Sequence, residues 1–367
     1  MAAKTSQSLT QLALQKFKKN FWGVLSLGFI VSCGLIALFA YALAPDNSNS
    51  ANQMHLSIHS KPPGFTIPIL TVPGVQSKNQ SWLSILYKGK TNTDTEIPLT
   101  AYDIDGTILN YTPYTGDDIE GLPKQLFFDD EEAINAFAKA YIHTKTFHWG
   151  TDKYGRDLLS RMLIGTRISF TIGFVAVLLS LLIGVFMGAV AGYYGGKIDT
   201  AIMFVINVAW SIPTLLLVTA ITLALGKGFF QVFIAVGLTM WVEVARVVRG
   251  QVMGVKKMQY VTAARALGYT DFRIISKHIL PNIVAPLIVI SAANFASAIL
   301  IESGLSFLGI GAQPPMPSWG AMIKDHYSYI IYGKPFLALI PGLAIMLLVM
   351  AFMLMGNALR DALDVKN

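Results

Sequence analysis

The residues Gly195-Gly196-Lys197 are the part of this sequence that comes nearest to a phosphate-binding loop. Such a loop requires the pattern Gly-x-x-x-x-Gly-Lys-Ser/Thr, in which backbone N–H groups cradle the phosphates. Here the lysine is followed by Ile198, and the first glycine is missing at the required spacing. We therefore predict that this chain is not an ATPase and has no catalytic residues.

A second candidate for chemistry is the pair His55 and His59, which are four residues apart. Two histidines at this spacing on a helix could bind a metal ion. The following Pro62-Pro63 and the polar surroundings instead favour solvated loop histidines. We predict no metal and no cofactor on this chain. Cys33 is the single cysteine, so no internal disulfide can form.

The third candidate is the stretch 260–281, whose composition predicts two short helices separated at a glycine. Alanines favour helix over its first part, and Gly268 can adopt the left-handed conformation that ends a helix. Thr270 or Asp271 can cap the next helix, and Pro281 disfavours helical geometry at Leu280. A compact helix pair on a basic loop suits the docking of a partner. The alternative is a simple connector.

The stretch 260–281 lies between long apolar runs, and these runs determine where it is placed. Hydrophobic residues make up 53% of the chain and charged residues 13%, whereas a soluble domain has roughly 25% charged residues. A helix crosses a bilayer with about 20 apolar residues. Six runs reach or approach that length: 21–44, 168–191, 200–225, 229–248, 284–307 and 336–355. The predicted fold class is an all-α polytopic membrane protein with six transmembrane helices.

The first run is predicted to be an uncleaved membrane anchor. Lys16, Lys18 and Lys19 precede it as in a signal peptide, but apolar residues continue well beyond Cys33. The core of a signal peptide is only about 7–15 residues long.

Glycine and proline residues separate or interrupt some of the apolar runs. Gly226-Lys227-Gly228 predicts a tight hairpin between the third and fourth runs. Pro213 in the third run and Pro341 in the sixth each remove a helical hydrogen bond, so we expect kinks at both.

Lysine and arginine in short loops predict the orientation, because such loops are usually cytoplasmic. The loop 249–283 contains one acid, Asp271, and many basic residues, so we expect it inside. The basic residues of this loop and its approach are Arg246, Arg249, Lys256, Lys257, Arg265, Arg273 and Lys277. Six spans then place both termini, 1–20 and 361–367, in the cytoplasm.

The segment 45–150 is consequently predicted to be extracytoplasmic. Its Pro-Gly and Asp-Gly pairs indicate turns. Residues 82–87 alternate in a way that suggests a strand, and 131–142 could form a short helix. We expect a small, mostly β or irregular lobe between the first and second transmembrane helices.

The stretch 260–281 resembles the cytoplasmic "EAA" loop of permeases from binding-protein-dependent ABC importers. Ala263, Ala264, Gly268, Leu280 and Pro281 match that pattern, and Thr262 stands where the family usually has glutamate.

Other segments are similar to the C-type permeases of dipeptide, oligopeptide and nickel importers. They include Gly150–Asp157, Ser160–Arg161, Gly165–Ser169, Arg246–Gln251, Glu302–Gly311, Pro317–Gly320 and Leu359–Asp364. The resemblance covers the first span and about Gly150 to Asp364.

The resemblance implies the type I ABC importer permease fold for residues 151–360, in the bacterial cytoplasmic (inner) membrane. It implies a heterodimer with a homologous permease, two partner ATPase subunits that bind ATP and Mg, and an extracytoplasmic solute-binding protein. Nucleic acid is not expected. The implied ATPase-coupling residues are Val261, Thr262, Ala263, Ala264, Arg265, Ala266, Leu267, Gly268 and Asp271, and Leu280 and Pro281 end the loop. Substrates would be peptides, nickel chelates, glutathione-like thiols or other small solutes.

Charged residues near the runs are candidates for an interface or the translocation path. Arg246 and Arg249 could anchor topology, and Glu243 could pair with Arg246. Glu302 is expected within or near the hydrocarbon, where acids are costly and face the protein interior. Asp157 and Arg161 have ion-pair spacing on a predicted charged interfacial helix, which would also hold Asp152 and Arg156.

Two other classes of function remain open from the sequence. The chain could be a self-sufficient secondary transporter or channel, although signs of midplane ion sites are few. It could also be a membrane-anchored enzyme or receptor that acts through its acidic outer lobe.

Overall fold

The structure, a computed structural model, describes residues 9–74, 80–91, 93–116, 121–226 and 228–363. The chain forms two compact units. The helical unit comprises Met1–Gly34, Ser169–Gln313 and Gly342–Asn367, and the sheet unit comprises Leu35–Ile168 and Pro314–Pro341.

The α-helices of the described residues follow one another along the whole chain. They are α1 Leu9–Lys19, α2 Phe21–Leu38, α3 Ala40–Leu43, α4 Trp82–Lys88, α5 Glu131–Tyr141, α6 Leu158–Tyr194, α7 Gly196–Ser211, α8 Thr214–Leu225, α9 Phe229–Val255, α10 Gln259–Ala266, α11 Asp271–Ile274, α12 Val284–Phe307, α13 Trp319–His326 and α14 Phe336–Leu363.

The prediction of a polytopic helical membrane protein is confirmed. Five helical segments of the described residues are long and apolar enough to cross a bilayer, and a bent pair could provide a sixth span. The five are Phe21–Leu38, Leu158–Tyr194, Phe229–Val255, Asp271–Phe307 and Phe336–Leu363.

The third predicted span, 200–225, is not one helix but the bent pair α7 and α8. Their axes differ by 92°. Ile212 has extended dihedral angles (φ −92°, ψ 127°), as expected for a residue before proline, and Pro213 cannot donate the next helical hydrogen bond. The predicted kink is therefore a complete break.

Three other helices extend beyond the apolar runs that predicted them. α6 begins at Leu158, ten residues before the predicted 168, and α9 and α14 extend beyond 248 and 355. The fifth run, 284–307, coincides with α12. Helix α14 continues through Pro341. α8 ends at Leu225 and α9 begins at Phe229, but Lys227 of the predicted hairpin lies outside the described residues.

Helices α6 and α9 pack closely because α6 presents glycines to α9. A Cβ atom at Gly184 would lie 2.5 Å from Cβ of Val244, and one at Gly192 would lie 2.9 Å from Cβ of Val252. The contact recurs every four residues, at Gly184, Gly188 and Gly192 on α6 and at Val244, Val248 and Val252 on α9. Small residues at this spacing allow close approach where lipid supplies no hydrophobic driving force.

The sheet unit contains a five-stranded antiparallel sheet. Its strands are β1 Phe65–Val72, β2 Thr95–Asp105, β3 Ile108–Pro113, β4 Lys124–Phe127 and β5 Ile142–Phe147, in the order β4-β3-β2-β1-β5. In the register, Ile69 lies opposite Pro98 on β2 and His143 on β5. Ile67, Ile69 and Phe147 are buried with Ile58.

Two local predictions for this lobe had different outcomes. Residues 131–142 do contain a helix, α5, and the Asp130 carboxylate caps it by accepting a 2.6 Å hydrogen bond from Ala133 N. The strand predicted at 82–87 is wrong, because these residues form α4. Gly89, with φ 78°, ends that helix, as is common for a glycine in the left-handed conformation. The alternation of apolar and polar residues at 82–87 therefore does not indicate a strand.

Candidate functional site

The loop after α9 contains the two helices that the sequence predicts, α10 and α11, separated at Gly268. Gly268 has φ +75°. Its N–H donates to the Arg265 carbonyl at 3.0 Å, and the Tyr269 N–H donates to the Ala264 carbonyl at 3.2 Å. This pair of bonds is a Schellman motif, which requires the left-handed conformation that glycine adopts at least cost.

The end of the loop differs from the prediction at Pro281. Leu280 has helical dihedral angles (φ −55°, ψ −42°), and a 3₁₀ turn Leu280–Ile283 leads into α12. Before it, Ile275–Ile279 forms a π-type turn, in which Leu280 N donates to the Ile275 carbonyl. Because the hydrogen-bond pattern changes here from wide to tight turns, the chain accommodates the missing proline N–H without leaving the helical path.

One face of α10 and α11 is fixed to the rest of the helical unit. Val261 is 1% exposed, Ala264 4% and Ile274 0%. They pack with buried residues of α9 and of the turn before α12, including Val248, Val252, Ile279 and Ile283.

The opposite face of the two helices is exposed and partly apolar. Leu267 is 72% exposed and Phe272 81% exposed. Leu267 is a predicted coupling residue and Phe272 is not. The further predicted coupling residues that are exposed are Thr262, Ala263, Arg265, Ala266, Gly268 and Asp271. Exposed large apolar side chains on an anchored helix pair are typical of an interaction surface.

Tyr193, in the last turn of α6, connects this loop to a membrane helix. Its hydroxyl donates a 2.5 Å hydrogen bond to Oδ1 of Asp271 and accepts one of 3.4 Å from Arg265 Nη2. The hydrogen bond to the Tyr193 hydroxyl raises the pKa of Arg265. Lys256 Nζ donates to the Tyr193 backbone carbonyl. The sequence analysis missed Tyr193, and only its place at the end of an apolar run could have indicated it.

Arg246 and Arg249, predicted as topology anchors or interface residues, attach α9 to α7. The Arg249 guanidinium donates two hydrogen bonds, of 2.5 and 2.6 Å, to the Asp199 carboxylate. Arg246 donates to Asn207 at 2.8 Å, and its guanidinium lies 3.3 Å from the centre of the Trp210 ring. The ion pair suggested between Glu243 and Arg246 does not occur in the part of the chain that the structure describes.

Glu302 lies inside the helical unit. It is 0% exposed and accepts a 2.6 Å hydrogen bond from the Ser306 hydroxyl. The Ser306 oxygen in turn accepts from Ala312 N at 3.1 Å, so this pair secures the chain that follows α12.

The charged segment before α6 is a buried turn, and the interfacial helix predicted there is wrong. The Asp152 carboxylate, not that of Asp157, pairs with arginine, at 2.6 Å from Arg156 Nη2 and 3.6 Å from Arg161 Nε. The Asp157 carboxylate accepts from Ser160 N at 2.8 Å at the start of α6. A fully buried carboxylate needs several donors, and this turn supplies them to Asp152.

His55 and His59 were predicted to be solvated, which holds for His59 and is wrong for His55. His55 is 4% exposed, and its Nε2 lies 2.9 Å from Oε2 of Glu96. Lys145 Nζ donates to the same oxygen at 2.9 Å. Burial by itself raises the pKa of Glu96, but the hydrogen bonds and charges of His55 and Lys145 outweigh it and lower the pKa to about 2.

Two regions of the chain match known protein families. Residues 162–366, more than half of the chain, match the family described as "Binding-protein-dependent transport system inner membrane component". Residues 8–63 match "N-terminal TM domain of oligopeptide transport permease C".

Individual relatives are similar over 60% of the chain. The glutathione transport system permease protein GsiD of Pectobacterium atrosepticum is 43% identical over 220 residues, which are 60% of this chain and 73% of that protein. The dipeptide transport system permease protein DppC of Bacillus subtilis is 43% identical over 60% of this chain and 69% of its own. The inward facing MetNI methionine ABC transporter has a TM-score of 0.45 at 18% identity, over 54% of this chain and 94% of that chain.

The match at 162–366 covers the apolar helices from α6 onward and the whole loop that carries α10 and α11, and the match at 8–63 covers α2. The resemblance found in the sequence is thereby confirmed. The chain belongs to the family of inner membrane components of binding-protein-dependent transport systems, and it is a permease subunit of an ABC importer.

Proposed function

We propose that this permease forms half of a translocation path for peptides or similar small solutes, and that partner ATPases drive it through the loop that carries α10 and α11. The observation that carries the proposal is the two-sided character of this loop. One face is buried against α9 and tied to α6 through Tyr193, and the other exposes Leu267 and Phe272. A loop that is fixed to the membrane helices on one face and exposes apolar side chains on the other is suited to bind a partner and to transmit its motion.

The solute class rests on the relatives. One relative is a glutathione permease and another a dipeptide permease. Both solutes are small and peptide-like. Peptide-like solutes are therefore the proposed cargo, and a solute-binding protein would deliver them.

The remaining assembly follows the same family pattern. The chain would adopt the type I importer permease fold and pair with a homologous permease, with both termini and the loop 249–283 in the cytoplasm. Two ATPase subunits would bind ATP and Mg, and this chain would bind neither. The segment 45–150 would lie outside the bacterial cytoplasmic membrane. Discrete packings of helices, rather than gradual bending, suit the switch between inward- and outward-open states.

The proposal is tested by coexpression with the homologous permease, two ATPases and a binding protein encoded in the same organism. We expect one stable complex that takes up peptides into proteoliposomes only with ATP. The control is liposomes that contain this chain alone. Uptake by the chain alone without ATP would instead support a self-sufficient transporter or channel, and a purified monomer that binds none of the partners would contradict the proposal.

A further inference from the structure

A cleft of about 330 Å³ opens in the helical unit at the break between α7 and α8. Its walls come from the end of α7, the start of α8 and the middle parts of α9 and α12. The lining includes Trp210, Thr214, Thr239, Glu243, Ser297 and Leu300. This volume and this mixture of apolar walls with a few polar groups are typical of small-molecule sites.

Glu243 is the charged group of this lining. It lies near the middle of α9, roughly 20 Å along the axis from either end at 1.5 Å per residue. Its side chain is exposed. Within the described residues it has neither a hydrogen bond nor an ion pair, and Arg246, one turn away, contacts Asn207 and Trp210 instead. Glu243 lies five residues before the end of the predicted span 229–248, and a carboxylate on a membrane helix is costly unless it faces water, a cation or the protein interior.

The broken helix adds a second feature that favours a cation. α7 ends at Ser211, and because Pro213 has no N–H, the Ala209 carbonyl loses its helical donor. The Val208 carbonyl of the same turn accepts a 2.7 Å hydrogen bond from the Ser211 hydroxyl. The C-terminal end of a helix also carries a partial negative charge. Ala209, Trp210 and Ile212 from this end line the cleft together with Glu243.

Hydroxyl groups and apolar surface complete the lining. Thr214 is exposed and Ser297 is half-buried, so their hydroxyls are available to N–H donors. Trp210 is 51% exposed, although one face of its ring is covered by the Arg246 guanidinium. A primary ammonium group has three donors and one positive charge, which these acceptors and this carboxylate can satisfy.

We propose that this cleft binds the ammonium group of the solute as it crosses the membrane, with Glu243 as its counter-ion. The inference rests on the proposed function, and it narrows the cargo to solutes with a free amino group, such as unblocked peptides. If Glu243 faced lipid or had only a structural role, there would be no reason for the cleft, the end of α7 and the hydroxyl groups to lie beside it.

The test compares Glu243→Gln and Glu243→Asp in the complete importer, reconstituted with binding protein and ATP. The probe is a mixture of di-, tri- and pentaalanine. Glu132→Gln, on the exposed surface of α5, is the matched control that removes a carboxylate elsewhere. Because a hydrogen bond to a charged group contributes about 1.5–3 kcal/mol, we expect Glu243→Gln to lower the uptake rate at least about tenfold. Glu243→Asp and Glu132→Gln should retain most of it.

Copurification of all subunits is measured in parallel and should be unchanged in Glu243→Gln. Uptake at the wild-type rate in this variant would overturn the inference. Loss of the homologous permease from the complex would also overturn it, because Glu243 would then pair across the subunit interface. If the wild-type complex itself shows no ATP-dependent uptake, the proposed function fails instead.

Discussion

The Tyr193 hydroxyl donates a 2.5 Å hydrogen bond to Oδ1 of Asp271 and so joins the last turn of α6 to the first residue of α11. Tyr193 is 3% exposed, whereas the neighbouring Tyr194 is 48% exposed. The bond links a membrane-spanning helix to the proposed coupling loop across 78 residues of sequence. Movement of the loop would therefore be transmitted directly to α6.

We predict that Tyr193→Phe weakens this transmission. Removing one partner of a hydrogen bond to a charged group costs about 1.5–3 kcal/mol, so ATP-driven uptake should fall about tenfold or more. The ATPase activity of the complex should fall less, because the proposed function puts the nucleotide sites on partner subunits. Uptake and ATP hydrolysis are measured on the same proteoliposomes. Tyr194→Phe is the matched control and should behave as wild type; equal activity of the two variants would exclude a role for the Tyr193 hydroxyl.

The glycines of α6 give a prediction about stability. Gly188→Ala would place a Cβ atom 2.5 Å from the Ala245 carbonyl oxygen and 2.7 Å from Cβ of Val248. Overpacking of this kind costs about 1–3 kcal/mol, so the thermal unfolding midpoint in detergent should fall.

Gly250→Ala on α9 is the control for this substitution, since a Cβ there meets no atom within 4 Å. Alanine in a helix is favoured over glycine by about 0.5–1 kcal/mol, so this variant should unfold at the same temperature or higher. A Gly188→Ala protein as stable as Gly250→Ala would show that α6 and α9 do not pack closely.

Glu96 gives a prediction about pH. Its pKa falls from the model-compound value of 4.5 to about 2 on folding. The ionised carboxylate therefore stabilises the sheet unit at pH values above 4.5, and this contribution is lost as the pH falls from 4.5 through about 2.

Glu96→Gln should accordingly lower the unfolding midpoint of the purified protein at pH 7, by the loss of about 1.5–3 kcal/mol for charged hydrogen bonds. The difference from wild type should shrink when the pH is lowered from 5 towards 2. Glu131→Gln, on the exposed face of α5, is the control and should show no such trend. A difference that is independent of pH would contradict the ionised contact with His55 and Lys145.

Features that depend on local chain chemistry could be predicted from the sequence. The bounds of α12 follow from the length of an apolar run, and the turn at Gly268 follows from the freedom of glycine to adopt positive φ. The break before Pro213 was expected as a kink, because the sequence indicates the lost hydrogen bond but not the 92° angle.

Features that depend on long-range contacts could not be predicted. Tyr193 and Asp271 are 78 residues apart, and no local pattern pairs them. His55 is buried because the sheet brings Glu96 and Lys145 to it, a consequence of strand order rather than of its neighbours. Asp152 rather than Asp157 binds Arg161 because the buried turn, not a helix, sets their geometry.

The most direct test of the account is photo-crosslinking from the exposed face of α10 and α11 in the assembled importer. A photoreactive residue at Leu267 or Phe272, which are 72% and 81% exposed, should form a crosslink to an ATPase subunit. The same residue at Ile331, 88% exposed and in a segment expected outside, should form none. Crosslinks to the ATPase from Ile331 but from neither loop position would contradict the proposal that ATP-driven motion enters through this loop.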